Sequence, residues 1–141
     1  MEKTRIGIVG LGSIAQTIHL PILSKSPDVE IVSVCDIDRA KAQYVGDKFN
    51  VRRYYNNFEK MLAIEQELDG IIICTPTVLH KELAIAALEE KNNVLVEKPL
   101  SRTAKEAEEI AAVARKQHQS LMVGMNNRFR PDAMILSTPN D

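Results

Sequence analysis

The stretch Gly10-Leu11-Gly12-Ser13-Ile14-Ala15 constrains this chain more than any other, because of what surrounds it. A short apolar run, Arg5-Ile6-Gly7-Ile8-Val9, leads into it, and a helical pattern follows. A second apolar run, Ile31-Val32-Ser33-Val34-Cys35, then ends at Asp36, 24 residues beyond Gly12. Strand, glycine turn, helix, strand and carboxylate in this order form a dinucleotide-binding fingerprint, with Ala15 at the third small position. Gly10 allows a turn too tight for a side chain, Gly12 lets the backbone approach a pyrophosphate, and Ala15 lets the helix pack on the strand. The helix start at Ser13 and Ile14 presents free N–H groups and the positive end of the helix dipole to the phosphates.

Apolar runs alternate with helical patterns along the rest of the chain. Strands are expected at 5–9, 30–35, about 51–55, 70–74, 93–96 and 121–124, and helices near 13–24, 38–48, 57–64, 78–90 and 103–117. Runs such as Ile71-Ile72-Ile73 suit strands buried on both faces of a parallel sheet. The expected fold is α/β, a doubly wound parallel six-stranded sheet with strand order 3-2-1-4-5-6. Leu79, Leu83, Ala86 and Ala87 form one apolar helix face, and Ala107, Ile110, Ala111 and Ala114 another. Asp38 and either Ser101 or Thr103 suit helix N-caps, while Pro21 is expected to kink or shorten the first helix.

The 141 residues suffice for one domain with a core, and the 45% apolar and 26% charged content is that of a globular protein. A net charge of −1, with Lys and Arg dispersed, argues against nucleic acid and anionic membranes as partners. No apolar run reaches the length of a membrane span, and the first strand begins too early for a signal peptide, so a cytoplasmic location is expected. Cys35 and Cys74 are expected to be reduced, buried thiols, and no His/Cys cluster has metal-ligand spacing.

Four places fall at the carboxyl ends of strands, where such sheets bind ligands. The glycine turn is the first. Asp36 is the second: its carboxylate suits both ribose hydroxyls of NAD and repels the 2′-phosphate of NADP, which favours NAD, although Arg39 nearby opposes that preference. The alternative for Asp36 is a loop or helix-capping role. The third is Thr75-Pro76-Thr77-Val78-Leu79-His80, where His80 in the first helical turn either faces the nicotinamide end of a dinucleotide or is a surface histidine. The fourth is Glu97-Lys98-Pro99, a pair with acid/base potential beside a cofactor or else a solvated ion pair. A cis peptide before Pro99 would aim Lys98 into the cleft.

Taken together, Gly10 to Ala15, His19-Leu20-Pro21, Val34-Cys35-Asp36, Thr75 to His80, Glu97-Lys98-Pro99 and Asn127-Arg128-Phe129-Arg130-Pro131 resemble the N-terminal domain of the glucose–fructose oxidoreductase / inositol 2-dehydrogenase / MocA family. The resemblance spans nearly the whole chain, and Glu97-Lys98-Pro99 is its most specific element. It implies hydride transfer between NAD or NADP and sugars, polyols or related compounds. It also implies that Lys98 lies beside the nicotinamide and the reacting carbon, with His80 and the Arg128 region bordering the same cleft. On this reading residues 1–130 form the dinucleotide-binding domain and 131–141 begin the connection to a second domain. That domain normally supplies a catalytic Asp and His, and often the oligomer interface, so a homo-oligomer is compatible with the family. A sugar-like substrate is expected only with that domain present, and no turnover is expected from this chain alone. A stand-alone module that binds or senses NAD(H) is the alternative. A P-loop NTPase is argued against, because no Gly-Lys-Ser/Thr follows Gly12.

Overall fold

Six parallel strands form one sheet in the order β3-β2-β1-β4-β5-β6, as the strand–helix alternation requires. The computed structural model describes residues 2–124. The strands are β1 (Thr4–Val9), β2 (Val29–Cys35), β3 (Arg53–Tyr55), β4 (Gly70–Ile73), β5 (Asn93–Val96) and β6 (Leu121–Val123). The helices are α1 (Leu20–Ser24), α2 (Arg39–Lys48), α3 (Phe58–Ile64), α4 (His80–Glu89) and α5 (Ala104–Gln117).

Side chains alternate between the two faces of a strand, so each central strand feeds two cores. Val9, Ile71, Ile73, Val94 and Val96 point to one side, where Met61 and Leu62 of α3, Ala84, Ala87 and Leu88 of α4, and Ile110 and Ala114 of α5 pack. Ile8, Val34, Ile72 and Leu95 point to the other, against Leu20 and Leu23 of α1 and Ala42 and Val45 of α2. This is why Ile71-Ile72-Ile73 is apolar without a break. On the α1 side an apolar groove of about 510 Å³ opens beside Ile6, Ile22, Ile72, Leu95 and Met122.

Three helices carry side-chain caps, the expected Asp38 and Thr103 and, in addition, Asn57. Asp38 accepts from the Lys41 N–H (3.1 Å), Asn57 from Lys60 (2.8 Å) and Thr103 from Glu106 (3.1 Å). Of the two candidate caps for α5, Thr103 is the one used. The first helix departs from the expected 13–24 span. A π-helical segment, Ala15–His19, runs into α1, and the Leu20 N–H reaches back to the Ala15 carbonyl. Pro21 has no N–H with which to continue the ladder, and the wider turn just before it accommodates the loss. The fourth helix also differs at its start, where a 3₁₀ turn, Thr77–Leu79, precedes α4. The innermost residues of α4 are His80, Ala84, Ala87 and Leu88, so its buried face is rotated from the expected Leu79-Leu83-Ala86-Ala87 stripe.

Edge strand β3 is fastened by Glu65 at the end of α3. The buried carboxylate meets Arg53 Nε at 2.7 Å and accepts from the Tyr55 hydroxyl at 2.7 Å. Burial, followed by this carboxylate, pushes the Tyr55 phenol from 10.0 up to about 12. Burial also pushes both thiols from 9.0 to about 12, assisted by Asp36 at Cys35 and by Glu97 at Cys74. Both cysteines are free; Cys35 is buried as expected, whereas Cys74, just beyond β4, is only half-buried.

These three shifts have a stability consequence. The folded chain holds protons that the unfolded chain has already released, so this stabilisation is complete below pH 9 and is lost as pH climbs towards 12. Melting temperatures measured at pH 7, 9 and 11 should be similar for the first two and clearly lower at the third. A Cys35→Ala/Cys74→Ala variant should show a shallower decline, whereas an identical decline in the variant would remove the thiols as its cause.

Candidate functional site: the carboxyl ends of the central strands

The glycine turn is wedged between the ends of β2 and β4. Gly10 N–H donates to the Cys35 carbonyl at 2.8 Å, and Cys74 N–H donates to the Val9 carbonyl at 2.8 Å. Gly10 has a φ of +88°, and a Cβ there would lie 2.7 Å from Thr75 N and 2.8 Å from the Cys74 carbonyl carbon. Both conformation and contact exclude a side chain. At Gly12 the situation is reversed, since a Cβ would meet no protein atom within 4 Å. Nothing in the described protein requires a glycine there, which fits a position kept bare for a ligand. Leu11 and Ala15 anchor the turn in the core, while Ser13 is exposed and Ile14 half-buried at the helix start. The Gln16 side chain donates to the Leu11 carbonyl at 2.7 Å and closes the turn from inside.

Asp36 is oriented by two backbone groups. Its Oδ2 accepts from Leu11 N–H in the glycine turn (2.9 Å) and its Oδ1 from Asp38 N–H (2.8 Å). The loop-bracing role is therefore present, and the carboxylate is held next to the turn while doing it. Each oxygen keeps a further lone pair for an outside donor. Ile37, next in the chain, is 89% exposed, and Arg39 opens α2 as an exposed cation.

The third and fourth places form one assembly. Thr75 Oγ1 is buried with no hydrogen-bond partner among the described residues, and Pro76 is exposed beside it. The Lys98–Pro99 peptide is cis, and both residues are exposed. His80 is neither at the surface nor open to the cleft. It is 1% exposed, with Nδ1 2.9 Å from the Pro99 carbonyl oxygen and Nε2 2.9 Å from the Thr75 carbonyl oxygen. Each ring nitrogen faces a carbonyl oxygen, of which a neutral imidazole donates to one, and the ring is buried rather than the surface histidine of the alternative reading. The physical reason is the rotated face of α4, which turns position 80 inward with Ala84 and Ala87.

Glu97 also differs from a solvated partner of Lys98. Its carboxylate is mostly buried and accepts from His19 Nε2–H, in the π-helical segment after the glycine turn. A Cβ on Gly124 would lie 3.1 Å from Glu97 Oε2, so the bare glycine beyond β6 leaves room for the carboxylate. His19 and Ile37 were not among the expected site residues. The signal for His19 was its spacing: Ala15, His19 and Leu23 share one helical face, and all three are buried. Arg128 lies outside the described residues. No group of three or more His, Cys, Asp or Glu among the described residues is placed to hold a metal ion, and no described helix is long and apolar enough to cross a membrane.

A parallel sheet with a glycine turn at its centre, open space at Gly12 and a carboxylate fixed at the end of β2 defines a dinucleotide-binding domain. The residues fit such a group: the bare Gly12 and the unpartnered Thr75 hydroxyl both lie at the strand ends where it would rest. Residues 4–125 match the family described as oxidoreductase family, NAD-binding Rossmann fold (GFO_IDH_MocA), and the chain belongs to that family. Myo-inositol 2-dehydrogenase of Thermotoga maritima is 30% identical over 125 residues, which is 89% of this chain and 37% of the relative. Among solved structures, KijD10, a 3-ketoreductase from Actinomadura kijaniata in complex with NADP, superposes with a TM-score of 0.81. It is 29% identical, over 86% of this chain and 38% of that one. GenD2 from gentamicin A biosynthesis, in complex with NAD, gives a TM-score of 0.82 at 27% identity over 88% and 35% of the two chains. The chain spans between 33% and 41% of the length of the curated relatives it matches.

The two glycines should respond differently to substitution. Gly10→Ala should cost about 1–3 kcal/mol of stability through the strained conformation alone, with the Thr75 clash adding to it. Gly12→Val should leave stability within about 0.5 kcal/mol yet abolish NAD(H) binding. Urea denaturation and a fluorescence titration with NADH check both, and a Gly12→Val chain that binds NADH normally would make that glycine merely structural.

Proposed function

We propose that this chain binds NAD(H) in preference to NADP(H) and forms the cofactor-binding part of an oxidoreductase. That enzyme would act on a sugar, a polyol or a related compound. The observation that carries the reading is the Asp36 carboxylate, held at the end of β2 by the Leu11 N–H of the glycine turn. A fixed negative charge there welcomes ribose hydroxyls and repels a 2′-phosphate. Arg39 is exposed on the next helix and moderates the preference without sharing that fixed position. The names of relatives support the substrate class: D-glucoside 3-dehydrogenase from Escherichia coli and the inositol dehydrogenase both act on polyhydroxylated compounds.

Each residue then has a task. Gly10 makes the turn, and Gly12, Ser13 and Ile14 bring bare backbone and the helix start to the pyrophosphate. Asp36 receives the ribose hydroxyls, and Ile37 offers its exposed side chain to the adenine. Thr75 and Pro76 lie under the middle of the dinucleotide, with the Thr75 hydroxyl gaining a partner. The bound cofactor supplies hydride acceptance or donation at its nicotinamide. Lys98 stands at the nicotinamide end and serves proton transfer at the substrate oxygen. Glu97 and His80 act behind it. Residues 1–130 are the dinucleotide domain and 131–141 begin the connection to a substrate domain that completes the catalytic set.

Titration calorimetry with NADH and NADPH tests the cofactor assignment. NADH should bind at least about tenfold more tightly, a difference of about 1.4 kcal/mol. Asp36→Asn, which retains an acceptor for one backbone N–H but removes the charge, should narrow that margin. Tighter binding of NADPH by the parent chain, or an unchanged margin in the variant, would contradict the assignment.

A further inference from the structure

Lys98 is exposed, and it joins no ion pair among the described residues. The residues on either side of it are anchored, each by a buried histidine. Glu97 is held through its side chain by His19, and Pro99 through its carbonyl by His80. His80 reaches the Thr75 carbonyl with its other nitrogen, so the same ring joins the loops after β4 and β5. His19 belongs to the helix that starts at the glycine turn, so its contact joins the pyrophosphate end of the site to the Lys98 loop.

We propose that His19 and His80 are positioning residues that bracket Lys98 and fix the nicotinamide end of the site relative to the pyrophosphate end. The proposal rests on the reading of Lys98 as the group beside the nicotinamide. Core packing alone does not explain these side chains. A buried imidazole needs partners to offset its desolvation, and an aliphatic residue would fill the same space without that cost. Among the contacts described for the two rings, His19 meets Glu97, while His80 meets Pro99 and Thr75. Gly124 reinforces the arrangement, because a side chain there would press on the Glu97 carboxylate that His19 holds.

Both tethered residues on the Lys98 side, Glu97 and Pro99, flank the nicotinamide end, which makes the bracket separable from general stability. ADP-ribose contains all of NADH except the nicotinamide, so the pair of ligands isolates that end. His19→Ala and His80→Ala should each weaken NADH binding about tenfold, as expected for loss of a buried hydrogen bond that tethers the Lys98 loop, and ADP-ribose binding by less than about twofold. In His19→Gln the side-chain amide still donates to Glu97, and NADH affinity should return to within about threefold of the parent. Where an alanine variant does not fold, Glu97→Gln is titrated with the same two ligands, and a loss confined to NADH is expected. Equal losses for both ligands, or no loss of NADH binding, would overturn the proposal. A parent chain that bound neither NADH nor ADP-ribose would instead refute the dinucleotide reading itself.

Discussion

At Gly10 two backbones pass so closely that no side chain fits between them. A Cβ would sit 2.7 Å from Thr75 N, and the residue has a φ of +88°. The rest of the site follows from that passage. The chain leaves β1 between the ends of β2 and β4, its neighbours in the sheet, and turns straight into a helix. The helix start therefore lies over the middle of the sheet, at the point where the strand order reverses, which is where open α/β sheets bind their ligands. Asp36 and Thr75, at the ends of the two flanking strands, are brought to the same turn by the same constraint.

A second layer of contacts ties the loops together from beneath. Asp36 grips the glycine turn, Gln16 closes it from the helix, and two histidines reach the loop that carries Lys98. The groups facing outward, including Lys98, Ser13 and Ile37, are supported by groups facing inward. The two thiols at the strand ends belong to the inner layer, where burial and a neighbouring carboxylate hold each in its protonated form. Away from the site, a cavity of about 510 Å³ lies near Lys3, Arg5, Phe49, Arg52 and Arg53, at the opposite end of the strands.

The strands and their order were legible in the sequence because each central strand is apolar on both faces and each crossover carries a helical period. Gly10, Gly12 and Asp36 were legible because their spacing follows from local geometry. The inward turn of His80 was less so. Its helix begins after a 3₁₀ turn, which rotates the buried face by about one position, and a histidine on that face looks polar in any pattern. The contact between His19 and Glu97 joins residues 78 positions apart and is invisible to local reasoning. Pro21 signalled a disturbance in the first helix. Its form, a π-helical segment just upstream, depended on how the carbonyls before the proline found donors.

The central claim is that a dinucleotide lies across the carboxyl ends of β1, β2, β4 and β5, with its pyrophosphate on the glycine turn. Backbone amide shifts followed by NMR during titration with NADH test this most directly. The account predicts the largest changes at Gly12, Ser13 and Ile14, with further changes at Asp36, Thr75 and Lys98. Changes confined to the cavity near Arg5, Arg52 and Arg53, or none at the glycine turn, would contradict it.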